Sequence, residues 1–260
     1  MAMDVPSVVT APFKYRRWLP YWAVLRTDVK QTLRSWVYRL WVVVTILSAG
    51  GFLVYRFGVH REAGLEQPAA VHTSDLLRAV SLGSLALIVV LCVSSISSER
   101  GTLADSVLSR GISRYQYFLA KWHARTFVVV STFMVMSLVM LTLFHLLLSD
   151  DLTIGGCLAA IVTISALLAG VVAMGVAVGS VSNSTVVGIT VLWIVLYGSG
   201  VLMTLLPSTY PTPEKVLSRL PNVLRGAYHL PSLGDWVLAG LAVAVGSATL
   251  GLVAFARKDV

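Results

Sequence analysis

Residues Ser98–Arg125 read SERGTLADSVLSRGISRYQYFLAKWHAR, and the organisation of the chain turns on them. Seven charges fall in these 28 residues, although only 12% of the 260-residue chain is charged. A long apolar run stands on each side, Leu77–Ser97 before it and Thr126–Leu148 after it. Runs of this length cross a hydrocarbon core about 30 Å thick. A charged island between two of them reads as a loop that flanks a membrane.

Working outward, four more runs have the same character: Leu40–Phe57, Thr153–Val181, Val186–Leu206 and Trp236–Phe255. With 57% hydrophobic residues, the chain has about half the charge of a water-soluble domain. Backbone groups in lipid must be satisfied internally, and runs without strict alternation favour helices over a barrel. The expected fold class is therefore an all-α polytopic membrane protein, one domain over residues 1–260 with six spans. The long fourth run is expected to tilt or to start in the interface. Cys92 and Cys157 fall inside spans and read as small packing residues rather than a disulfide framework. The arm of aromatic and basic residues before the first run lacks the layout of a cleavable leader.

An even number of spans puts both termini on one side, and the bias of Lys and Arg selects it. With the N-terminus cytoplasmic, the inner segments hold fourteen Lys/Arg and the outer side six. The inner set is Lys14, Arg16, Arg17, Arg26, Lys30, Arg34, Arg39, Arg100, Arg110, Arg114, Lys121, Arg125, Arg257 and Lys258. The same bias accounts for the net charge of +8. Spread over three membrane-flanking segments, these cations suit topology and contact with anionic lipid, not nucleic acid.

The segments between spans carry further signals. In the arm of residues 1–36, Trp22, Leu25, Val29, Leu33 and Trp36 repeat at helical spacing, while Lys30, Gln31 and Arg34 turn away. That pattern predicts an amphipathic helix over Arg17–Trp36 lying at headgroup level. Pro207–Asp235 holds five prolines, and Val216, Leu220 and Leu224 stand four apart, which predicts an amphipathic helix in the last outer loop. Gly175 and Gly179, extended by Ala169, Ala173 and Ala177, form a small-residue stripe for close helix packing. His145, near the end of the third span, is an intramembrane histidine with no carboxylate expected beside it.

The opening stretch divides at Gly111. Before it, Leu103, Val107 and Leu108 share one side of a short helix, and Gly111 suits a left-handed cap. After it, Ser113-Arg114-Tyr115-Gln116 is a capping box that starts a new helix through Lys121 into the third span.

These residues resemble the permease subunits of ABC-2-type transporters. After the second span the family has a Glu and a basic residue, then G-T-L, a leucine pair, a Ser, a turn residue, and S-R followed by aromatics and a Lys. This chain has Glu99-Arg100-Gly101-Thr102-Leu103, Val107-Leu108-Ser109-Arg110, Ser113-Arg114, then Tyr115 to Lys121. Gly111 stands where the family usually has Pro, and Val107 where it has a second Leu. The layout is similar to that of the small bacterial group that includes the nitrous-oxide-reductase maturation permease. The resemblance implies that residues 98–125 are a cytoplasmic coupling loop, with Gly101–Arg110 docked on a separate ATPase subunit and Glu99 and Arg100 as an ionic hinge. It further implies two ATPase copies carrying ATP and Mg, a second and identical permease chain, a bacterial cytoplasmic membrane, and room for a periplasmic accessory protein. Export of a substrate is the family tendency. The chain itself has no G-x-x-x-x-G-K-[ST] loop, so no cofactor and no enzymatic activity of its own are expected.

Two other readings compete. A permease-like subunit that transmits force or recruits a periplasmic partner needs no hydrophilic path, and few polar residues fall in the spans. An intramembrane protease needs G-x-S-G and a later His. Here Tyr197 precedes Gly198-Ser199-Gly200, and the sixth span has no His.

Overall fold

The computed structural model describes residues 18–63, 68–98, 112–147, 151–205 and 212–257. Eight helices occur among the described residues. They are α1 (Leu19–Arg34), α2 (Trp36–Ala63), α3 (Ala69–Ser97), α4 (Arg114–Leu147), α5 (Ile154–Val181), α6 (Thr185–Thr204), α7 (Pro213–Leu224) and α8 (Leu230–Arg257). Six of them, α2 to α6 and α8, are long and apolar enough to cross a membrane. The chain is thus an all-helical, multi-pass membrane protein.

Several helix ends follow from local chemistry. Pro20 sits in the first turn of α1, where a missing N–H costs nothing. Ser35 leaves the helical region (φ −65°, ψ 145°), ending α1, and its Oγ accepts from Tyr38 N–H at 3.2 Å to start α2. Thr153 Oγ1 accepts from Gly156 N–H at the start of α5. Thr212 caps α7, with Pro213 following it. Helix α4 begins at Arg114, well before its apolar run, so one unbroken helix joins the charged stretch to the third span.

Helix α5 is the hub, packed by α3, α4, α6, α7 and α8. Its high content of Gly and Ala is the cause: small side chains let other backbones come close, where dispersion replaces the absent hydrophobic drive between helices in lipid. The expected stripe divides into two. A Cβ on Gly175 would lie 2.7 Å from Cys92 Cβ, and one on Gly179 would strike the Val93 carbonyl, so both glycines admit α3. Ala169 and Ala173 instead pack with Ala244 and Ala248 of α8, and a Cβ on Gly251 would lie 2.7 Å from Ala177 Cβ. The 3.6-residue turn separates the two sets onto different faces. Helices α2 and α6 stand outermost, with few buried residues. Tyr38 and Thr132 hydroxyls (3.1 Å) and Trp41 Nε1 donating to Ser84 Oγ (2.8 Å) tie α2 to α4 and α3.

Candidate functional site: the frame of the charged loop

Of the residues singled out in the charged stretch, Glu99, Arg100, Gly101, Thr102, Leu103, Val107, Leu108, Ser109, Arg110 and Gly111 lie outside the described residues. Ser113 and Arg114 are described, and so is everything that holds them. Ser113 Oγ accepts from Gln116 N–H at 3.2 Å, and Gln116 Oε1 accepts from Ser113 N–H at 3.4 Å. This reciprocal pair is the capping box read in the sequence, and it fixes where α4 starts.

The first turns of α4 are gripped from two sides. On one side is the end of α8. Phe255 stacks on Tyr117 and contacts Phe118, each at 6.1 Å between ring centroids, and Arg114 Nη1 donates to Ala256 O at 3.4 Å. On the other side is α1, and its contact is ionic. Asp28 lies 2.7 Å from Lys121 Nζ and 3.2 Å from Arg125 Nε. The second approach is an ion pair without hydrogen-bond alignment, and Arg125 Nη2 donates more weakly to Oδ1 at 3.4 Å. Asp28, Lys121 and Arg125 are 2%, 3% and 6% exposed. Thr32, one turn on and also buried, donates its hydroxyl to Asp28 O at 2.6 Å. Tyr21 Oη and His123 Nδ1 are 2.8 Å apart, and burial raises the Tyr21 phenol above its ordinary pKa.

Helix α1 turns a polar strip to the protein. Of the expected apolar face, Trp22, Leu33 and Trp36 are exposed and Leu25 and Val29 half-buried, and the buried residues of α1 are Asp28 and Thr32. An apolar stripe at headgroup level can be covered by lipid and needs no protein partner. Buried cations on α4, by contrast, need a carboxylate. Sequence reasoning missed Asp28. The signal was there: Asp28 is the only acid between Asp4 and Glu62, and Lys121 and Arg125 stand four apart on one helix face.

The end of α3 closes the frame. Ser97 Oγ donates to Val93 O, and it meets Thr185 Oγ1 of α6 at 2.8 Å. The glycine pair at 175 and 179 brings α5 against this same end of α3.

At the opposite end of the bundle, α7 packs Val216, Leu220, Val223 and Leu224 inward against α3 and α5. Asp151 Oδ1 accepts from Ala70 N–H at 3.0 Å and Oδ2 pairs with Arg225 Nε at 3.1 Å. Thr153 N–H and Oγ1 both donate to Leu224 O, at 2.9 and 3.1 Å. His145 is exposed on α4, and among the described residues no three His, Cys, Asp or Glu side chains group as metal ligands. Ser199 donates to its own helix at Leu196 O, 2.9 Å away.

What fold and frame define is a class: a six-span helical membrane protein in which the start of α4, ahead of the third span, is held between α1 and α8. Comparison with protein-family models and with curated proteins finds no match to this sequence.

Proposed function

We propose that this chain is the permease subunit of an ABC-2-type transporter in a bacterial cytoplasmic membrane, with both termini cytoplasmic. The observation that carries the reading is the clamp on α4. The helix begins in a capping box directly after the charged loop. It is held between the ionic contact to α1 and the aromatic contact to α8. A load delivered at the start of α4 would pass along one unbroken helix into the third span, which is what a coupling loop requires. ATP and Mg would sit on two copies of a separate ATPase, and a second, identical chain would complete the permease. The chain would carry no catalytic residue of its own, and rocking of the two halves would alternate access.

Of the buried span hydroxyls, Ser95, Thr163 and Ser180 donate to carbonyls of their own helices while Thr73, Ser81 and Ser165 have no partner among the described residues, and the apolar spans offer few other polar groups to a substrate. That favours export of a hydrophobic or lipid-like substrate. It also supports the second reading, a non-transporting subunit that transmits force to a periplasmic accessory protein.

The test is a pull-down of the tagged chain, wild type against Leu103→Asp/Leu108→Asp. The expected result is an ATPase that copurifies with wild type and is lost from the variant while the variant remains monodisperse. Absence of any ATPase under several mild detergents would remove the transporter reading.

A further inference from the structure

Helix α1 presents three strips. The first, Asp28 with Thr32, is buried against the protein. The second is apolar and uncovered: Trp18, Trp22 and Leu33 are 59%, 62% and 44% exposed. The third is cationic: Arg26, Lys30 and Arg34, four apart and therefore in line on the helix, are all exposed. Its edge adjoins the apolar strip, because Arg26 and Leu33 are seven residues, close to two turns, apart.

The depth of α1 is set by its partners. Asp28 meets Lys121 and Arg125, and Tyr21 meets His123, so α1 lies beside residues 121–125 of α4. The apolar run of α4 begins at the next residue, Thr126. This change from charged to apolar sequence is what the boundary between headgroups and acyl chains calls for. No ion pair to Arg26, Lys30 or Arg34 is formed among the described residues. The one carboxylate of α1, Asp28, faces away from these three and is taken by α4. Side selection during insertion needs only cations on one side. It does not need three of them in register along the border of a tryptophan strip.

We propose that α1 binds anionic phospholipid headgroups: Arg26, Lys30 and Arg34 hold the phosphates while Trp18, Trp22 and Leu33 sit in the acyl region beneath. Long cationic side chains reach the phosphate level with their stems on apolar surface, and tryptophan favours this depth. An acidic protein or a nucleic acid would match the cations but would leave the tryptophan strip in water. A charged lipid surface matches both strips at once. Each cation near an anionic surface supports up to about a fivefold local enrichment at low salt, fading with ionic strength as the Debye length shortens.

The test uses the full chain in phosphatidylcholine nanodiscs that contain a minority of either brominated phosphatidylglycerol or brominated phosphatidylcholine. Quenching of tryptophan fluorescence reads which lipid lies against α1, and Trp18→Phe/Trp22→Phe supplies the background of the other tryptophans. The expected result is stronger quenching by the brominated phosphatidylglycerol, lost in Arg26→Gln/Lys30→Gln/Arg34→Gln, kept in Arg26→Lys/Arg34→Lys, and reduced at about 0.5 M salt. Equal quenching of wild type by both lipids overturns the proposal, and so does an excess that survives neutralisation of all three cations. The wild-type comparison decides even where the neutralised variant fails to assemble. No ATPase enters the assay, so its outcome is independent of the transporter reading.

Discussion

Each end of the bundle is tied by one aspartate, and the two ties differ in kind. Asp28 is sealed between α1 and α4 with two cations, all three nearly inaccessible. Asp151 pairs with one arginine, and the two side chains are 30% and 39% exposed. Water screens the second pair, so its attraction is worth up to about 1 kcal/mol. The first triad gains a strong attraction and gives up three hydration shells, and those terms largely cancel. Its effect is positional. Only one placement of α1 brings Asp28 to both Lys121 and Arg125, so the triad sets the register of α1 on α4. An apolar contact would let the helix slide. Registration belongs at the end of the bundle where α4 meets the charged loop.

The sharpest way to break the contrast is Asp28→Asn. The side chain keeps its shape and loses its charge, leaving Lys121 and Arg125 buried without their carboxylate. The expected cost is about 3–5 kcal/mol, read as a lowered midpoint of thermal unfolding in detergent. Replacing all three residues, Asp28→Leu/Lys121→Met/Arg125→Met, should recover most of that loss, because no buried charge then remains. A wild-type-like midpoint for Asp28→Asn would mean that water reaches the triad and that the two ends are held alike.

The spans were readable because lipid allows few solutions: long apolar runs must be helices, and their ends fall near the last apolar residue. The α7 helix was readable too, since Val216, Leu220 and Leu224 repeat at the helical period and all three are buried. The capping box at Ser113 and Gln116 was local chemistry, visible in four residues. The apolar stripe of α1 was expected at headgroup level, and its Trp22, Leu33 and Trp36 are uncovered by protein, but that stripe says nothing of what the opposite strip with Asp28 meets. The stripe at Gly175 and Gly179 was real, yet its alanine extension serves α8, because which neighbour a small residue admits depends on packing across the whole bundle. Asp28 was missed for a related reason. A lone acid among basic residues marks it, but its partners lie more than ninety positions away, and local pattern does not join the two.

At the other end, Asp151→Ala removes two things at once, the pairing with Arg225 and the acceptor for Ala70 N–H in the first turn of α3. The amide term dominates. A helix N-terminus that loses its carboxylate cap gives up about 0.5–2 kcal/mol, and the exposed ion pair adds little. The unfolding midpoint should fall, but by less than for Asp28→Asn. Asp151→Asn, which keeps an acceptor oxygen for Ala70, should recover most of the difference. If the asparagine variant is as unstable as the alanine variant, charge rather than capping holds this end, and the contrast with Asp28 narrows.

Arg225→Gln is the gentlest test and isolates the exposed pair. It leaves the Asp151–Ala70 contact intact and removes only the guanidinium. The expected loss is below about 1 kcal/mol and should shrink further in high salt, where surface charges are screened. A double-mutant cycle with Asp151→Asn measures the coupling directly. A coupling of about 3 kcal/mol or more would class this pair with buried networks. Arg225 closes α7, whose buried leucines pack against α3 and α5, so a large value would also mean that the docking of α7 depends on charge. A small value leaves α7 held by Val216, Leu220, Val223 and Leu224. The end of the bundle beyond α7 is then fastened by apolar packing, and the end beside the charged loop by ions.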